Sequence, residues 1–115
     1  MKKTNELTPE SFTKLRVLGQ NWDVVWTPSW IIPGQYGHCD PDNQAIVVRH
    51  GLRSQQCADT LLHETIHAVE NILGLDMTET QVRLLATGLT QVFQDNPEYY
   101  AVLAECYHHE DQRGK

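Results

Sequence analysis

The feature that most constrains the fold is the run from Ser54 to Leu73, in which apolar residues recur at helical spacing. Eight residues lie at these three- and four-residue intervals, and all except the small Thr65 are apolar. They are Ala58, Leu61, Leu62, Thr65, Ile66, Val69, Ile72 and Leu73. A repeat of about 3.6 residues places them on one face. Ser54 is suited to the N-cap and Gly74 to the position after the last turn. The run therefore predicts a long amphipathic helix with one buried face.

Five consecutive residues inside this predicted helix, from His63 to His67, read HExxH. Residues four apart on a helix point within about 40° of each other, so both imidazoles can reach one metal ion at about 2.0–2.1 Å. Glu64 is displaced by about 100°. It is held beside the ion without binding it, where it can take a proton from a metal-bound water. The motif predicts a zinc site with Glu64 as general base.

A catalytic zinc site needs a third protein ligand. The metzincin pattern is excluded, because Leu73 and Glu70 stand where that pattern has its third histidine and its glycine. Glu79 leads the next predicted helix, and a short connection after Gly74 lets that helix return antiparallel and bring Glu79 towards His67. Glu79 is therefore the predicted third ligand. The alternatives are Asp76, Glu70, His108 and His109.

The first half of the chain is rich in β-prone residues. Leu15–Leu18 and Trp22–Trp26 are separated by Gly19, Gln20 and Asn21 and predict a hairpin, with a helical turn near Pro9–Ser11 before it. A short helix that ends before Gly19 is the competing interpretation. Gly37–Arg49 contains the turn cluster Asp-Pro-Asp-Asn and predicts a second hairpin.

Two further helices are expected after the HExxH helix. Thr78 and Gln81 form the pattern of a capping box, and the last helix is expected to run from Pro97 to about Tyr107. The predicted fold is α+β: a small antiparallel sheet of three to four strands followed by the HExxH helix and two more. The chain is expected to be a single domain, 1–115, with flexible tails at 1–11 and 110–115.

Composition narrows the function classes. The 115 residues carry a net charge of −6, which disfavours nucleic acid as a partner because acidic surfaces repel phosphates. Three widely spaced cysteines without a CxxC pair argue against a thiolate zinc site and are typical of reduced thiols. The sequence has no long apolar run, and none follows Lys2 and Lys3, so neither a membrane span nor a secretory signal is expected. A cytoplasmic location is predicted.

Two segments resemble a known group of proteins. Leu61–Glu70 is similar to the LLHExxHA helix of compact phage and prophage HExxH metallopeptidase-like proteins, which are minimal gluzincins. Glu79–Ala86 is similar to the glutamate-led helix that follows in the related repressor-cleaving and SprT-like peptidases. The resemblance implies a β-hairpin layer before the active-site helix and Glu64 as the base. It also implies three zinc ligands: His63, His67 and Glu79.

The predicted function is that of a zinc-dependent metalloendopeptidase. A domain this small has little room for a deep specificity pocket, so one or a few protein targets are expected. The alternative is a zinc-binding, non-proteolytic phage or prophage protein that binds a host protein. If Gln44–Arg49 is an edge strand, an extended substrate could pair with its backbone; the alternative is an ordinary strand within the sheet. Candidate donors to the oxyanion are Tyr36, Tyr99, Tyr100, Tyr107, His108 and His109.

Overall fold

The computed structural model describes residues 8–28 and 34–113, with side chains as far as residue 108. Two 3-10 turns and seven regular elements follow one another: a turn at Pro9–Ser11, β1 Lys14–Val17, β2 Gln20–Thr27, β3 Gly37–Asp40, a turn at Pro41–Asn43, β4 Ala45–Arg49, α1 Ser54–Leu73, α2 Glu79–Asp95 and α3 Tyr99–Arg113. The predicted α+β fold is confirmed. The last helix begins at Tyr99 rather than at the predicted Pro97 and extends beyond its predicted end at Tyr107. Of the predicted tails, residues 1–7 and 114–115 lie outside the described residues, whereas Pro9–Ser11 forms a 3-10 turn and residues 110–113 belong to α3.

The first hairpin forms as predicted, and the competing helix is wrong. β1 and β2 pair antiparallel, with Val17 opposite Gln20. Leu18 and Gly19 form the two-residue turn, with φ of 49° and 84°. Two consecutive positive φ values match the right-handed twist of the strands on either side. The predicted helical turn at Pro9–Ser11 is also present, ahead of β1.

The four-stranded sheet is mixed, whereas an antiparallel sheet was predicted. Its strand order is β1-β2-β4-β3, and β4 runs parallel to β2 with Ile46 beside Val24. Ile46 and Val48 of β4 are fully buried, while His38 of β3 is exposed. The most apolar strand therefore takes the centre of the sheet. As a result, the hairpin of β3 and β4 joins the hairpin of β1 and β2 through β4, which runs parallel to β2.

This strand order corrects the interpretation of Gln44–Arg49 as an edge strand. β4 is hydrogen-bonded to β2 on one side and to β3 on the other, so its backbone cannot pair with a substrate. β3 is the edge strand instead, and no strand of the described residues pairs with its outer side.

The core lies between the sheet and α1. Trp22, Ile46 and Val48 are fully buried from the strand side, and Ala68 of α1 is fully buried against them. Trp26 packs at the margin of this core and donates from Nε1 to the Phe12 carbonyl at 2.9 Å. α2 packs on α1 through fully buried residues, Val82 and Ala86. Trp30 lies outside the described residues.

Within the described ranges, no helix combines the length and the apolar character that crossing a bilayer would need.

Gly37 allows β3 to approach α1 closely. A Cβ atom at this position would lie 2.6 Å from the Thr60 Cγ2 atom and 3.1 Å from the Glu64 Cγ atom. It would also lie 3.1 Å from the backbone oxygen of Val47. The strand can pack against the middle of α1 only because this residue has no side chain.

We expect Gly37→Ala to lower the free energy of unfolding by about 1–3 kcal/mol, because the added methyl group overpacks the contact between β3 and α1. Chemical denaturation measures this change. Gly88→Ala is the matched control: Gly88 lies inside α2 with nothing within 4 Å of an added Cβ atom. We expect this control to gain about 0.5–1 kcal/mol from helix propensity. Equal effects of the two substitutions would contradict the close-approach argument.

The three cysteines are free thiols in different surroundings. Cys57 is buried, and this burial, followed by the charge of Glu10, raises the pKa of its thiol. Burial also raises the pKa of the half-buried Cys39 to about 11, with further contributions from Glu64, Asp40 and Glu70. Cys106 is exposed on α3. Only Cys106 therefore combines a free thiol with open access to solvent.

Alkylation at pH 8 is expected to modify Cys106 first. At that pH a thiol with a pKa near 11 is thiolate in roughly one molecule in a thousand, and the thiolate is the reactive form. Peptide mapping after short exposure to iodoacetamide measures the order, and Cys106→Ser should remove the fast phase. Labelling of Cys39 at the rate of Cys106 would contradict the assignment.

Candidate metal centre

α1 carries both histidines of the motif. It begins at Ser54, one residue after the N-cap Arg53, so the predicted cap is off by one position. It ends at Leu73, and Gly74 caps it as predicted with a φ of 72°. The imidazole centroids of His63 and His67 are 5.0 Å apart, and the side chains are 18% and 26% exposed. The two rings are therefore partly sheltered neighbours on one helix face.

Glu79 is brought to these rings by the start of α2. The predicted capping box is present: Gln81 N donates to the Thr78 hydroxyl at 3.1 Å, and Thr78 N donates to the Gln81 side chain at 2.9 Å. This box makes Glu79 the first residue of α2. Its carboxylate lies 2.8 Å from His63 Nε2 and 3.2 Å from His67 Nε2.

The three side chains converge closely enough to hold a metal ion. One ligand atom from each of His63, His67 and Glu79 lies within 4.8 Å of the others. The Glu79 carboxylate faces both rings, with Oε2 next to His63 Nε2 and Oε1 next to His67 Nε2. The group could hold a metal ion with one position left open. In the part of the chain that the structure describes, no other set of His, Cys, Asp and Glu converges in this way.

The alternative ligands are placed elsewhere. Glu70 contacts His67 through Nδ1, at 3.1 Å, on the side of the ring opposite to Glu79. Asp76 is exposed in the connection between α1 and α2, and His108 is exposed on α3. Neither joins the converging group. The side chain of His109 lies outside the described residues.

Glu64 is buried beside the group without belonging to it. Its side chain lies under β3, and the residue is only 7% exposed. Burial raises the pKa of its carboxyl, while the neighbouring His63 and His67 lower it and Glu79 raises it further. A cation bound by the imidazoles would favour the ionised carboxylate, because opposite charge stabilises the charged form.

A cleft opens over the three residues His63, Glu64 and Glu79. One cavity, of about 590 Å³, extends along the C-terminal half of α1 and includes Glu70 in its wall. A second, of about 340 Å³, extends towards the N-terminal half and includes Arg83. Because both cavities share the three residues, the cleft extends to either side of the imidazoles, with the start of β3 as its border.

The candidate donors to the oxyanion are mostly distant from this cleft. Tyr36 lines the second cavity, where its hydroxyl accepts from Gln56 Nε2 at 3.2 Å. The other candidates with described side chains lie on α3, which contributes to neither cavity: Tyr99, Tyr100, Tyr107 and His108.

Two residues at the site, Gly37 and Glu70, take positions that the sequence did not predict. His38 lines the first cavity and is close enough to Glu64 to lower its pKa. Gly37 makes room for Glu64, and Glu70 supports His67. Two signals existed: a glycine at the head of a strand marks a close approach, and a residue three after His67 shares its helix face.

Comparisons with known proteins add no relative. No protein-family model matches the chain, and no curated protein or solved structure is significantly similar to it. The site is therefore interpreted from its own geometry.

Proposed function

We propose that the protein is a zinc-dependent metallopeptidase that hydrolyses a peptide bond in one or a few protein targets. One observation carries the proposal. The Glu79 carboxylate meets the imidazoles of His63 and His67, while the buried Glu64 lies beside this group and opens onto a cleft. A hydrolytic metal site needs three ligands, one open position for water and a separate carboxylate that acts as the base.

Zinc is the ion that suits the donors best. Two imidazole nitrogens and one carboxylate are a common catalytic zinc set, whereas magnesium and calcium prefer oxygen donors throughout. Zinc bound there would polarise the scissile carbonyl and lower the pKa of a water molecule. Glu64 would take the proton from that water and pass it to the departing amine. Its buried position keeps the carboxylate close to the reacting atoms.

The cleft and the sheet edge support a peptide as substrate. β3 borders the cleft through Gly37, His38 and Cys39, and no described strand covers its outer side. An extended peptide can add to such an edge by backbone hydrogen bonds, which hold it across the imidazoles. Because the cleft extends to both sides of His63, it suits a bond within a chain rather than one at its end.

The first test concerns the third ligand. The purified protein should bind about one zinc ion per chain, and Glu79→Ala should weaken zinc binding at least 10–100-fold, the loss typical even of a residue that only supports a ligand. Competition with a chromophoric chelator measures the affinity. Asp76→Ala is the matched control, because it removes a carboxylate from the same connection without touching an imidazole. Equal affinities of the two variants would remove Glu79 from the ligand set.

The second test concerns Glu64. We expect Glu64→Gln to abolish cleavage of a mixed peptide library while it keeps full zinc stoichiometry, since the amide cannot accept the proton. Mass spectrometry of the library and elemental analysis of the same sample measure both properties. Cleavage that persists in the variant would exclude Glu64 as the base. A wild-type protein that binds zinc but cleaves nothing would favour the alternative function, a zinc-binding protein that docks on a host protein.

A further inference from the structure

The Glu70 side chain contacts both His67, one of the three candidate ligands, and the connection between α1 and α2. Its Oε1 atom lies 3.1 Å from His67 Nδ1, and its Oε2 atom accepts from Met77 N at 2.9 Å. The Glu70 side chain is 16% exposed, so these contacts are shielded from water. Each carboxylate oxygen therefore has a different partner, one in α1 and one just before α2.

The contact with His67 determines which nitrogen is available to a metal. A carboxylate oxygen only accepts hydrogen bonds, so the contact with Glu70 is made by a protonated Nδ1. Nε2 faces Glu79, and a metal ion held between these two groups would take the lone pair of Nε2 while Nδ1 keeps its proton on Glu70. The Glu70 contact also limits rotation of the ring, since Nδ1 is held from the side opposite to the site.

The contact with Met77 arranges the connection between the helices. The Glu70 backbone oxygen accepts from Gly74 N, and from Leu75 N at 3.0 Å, while its carboxylate accepts from Met77 N. The chain from α1 to α2 is thus folded around one residue. Glu79 follows Met77 by two positions, so the same contacts determine where its carboxylate arrives.

We propose that Glu70 is a positioning residue that organises two of the three metal ligands before the ion binds: His67 through its ring and Glu79 through the connection. The proposal rests on the proposed zinc site but does not depend on peptidase activity. If either contact is removed, the donor atoms of His67 and Glu79 are still present but are less well ordered. Part of the free energy of zinc binding is then used to order them.

Three substitutions separate this role from others. Glu70→Ala removes both contacts. Glu70→Gln keeps an acceptor for Met77 N but cannot offer a second acceptor to His67 Nδ1 without a change of partner. Asp76→Asn is the control for charge, because it removes one negative charge from the same connection, where Asp76 is exposed.

We expect both Glu70 variants to bind zinc about 10–100-fold more weakly than wild type, the range seen when a partner of a metal-bound histidine is lost. Asp76→Asn should stay within twofold of wild type. Chelator competition measures these affinities. In the zinc-loaded protein, ¹⁵N NMR of the His67 ring should show a protonated Nδ1 in wild type and an altered Nδ1 signal in Glu70→Gln, which a merely structural role would not change.

Zinc-free protein gives an independent measurement. The Met77 amide should exchange with solvent about tenfold faster in Glu70→Ala than in wild type, because it loses a charged acceptor. Unchanged zinc affinity and an unchanged His67 signal in Glu70→Gln would overturn the proposal while the metallopeptidase proposal stands. Failure of the wild-type protein to bind zinc would instead overturn both, whatever the exchange of Met77.

Discussion

The packing of α1 against β3 and β4 is the interaction on which the rest of the structure depends. Ala68 is fully buried against the sheet, and Gly37 lets the edge strand approach within contact of Glu64. This close approach has two consequences. It buries the carboxylate that lies beside the histidines, and it leaves the imidazoles of His63 and His67 at the border of the sheet, where the cleft opens.

The connection between α1 and α2 adds the second constraint. Hydrogen bonds at its second end, from Met77 N to the Glu70 carboxylate and between Thr78 and Gln81, determine where α2 begins. Neither is a strong interaction by itself, since a hydrogen bond contributes about 1 kcal/mol net, and more when one partner is charged. Together they direct a flexible carboxylate to a particular point, which is what a metal site needs from the residues around it.

Elements that depend on neighbouring residues could be predicted, and those that depend on distant ones could not. The hairpin turn at Gly19, the end of α1 at Gly74 and the capping box at Thr78 follow from local backbone preferences. The strand order does not. Whether β4 or β3 lies beside β2 is decided by how much apolar surface each strand buries across the whole sheet, so the sequence left open whether Gln44–Arg49 lies at the edge.

The same division applies to the site. The sequence by itself determined that His63 and His67 share a helix face with Glu64 turned away from them, because the helical repeat is a property of the backbone. It also determined that Glu79 begins a helix. Only the tertiary structure decided which of Glu79, Glu70 and Asp76 faces the Nε2 atoms of both histidines, since all three carboxylates follow His67 within a dozen residues. The return of α2 along α1 brings Glu79 to the Nε2 atoms and leaves Glu70 on Nδ1. That return depends on long-range packing, in which the buried Val82 and Ala86 of α2 lie against α1.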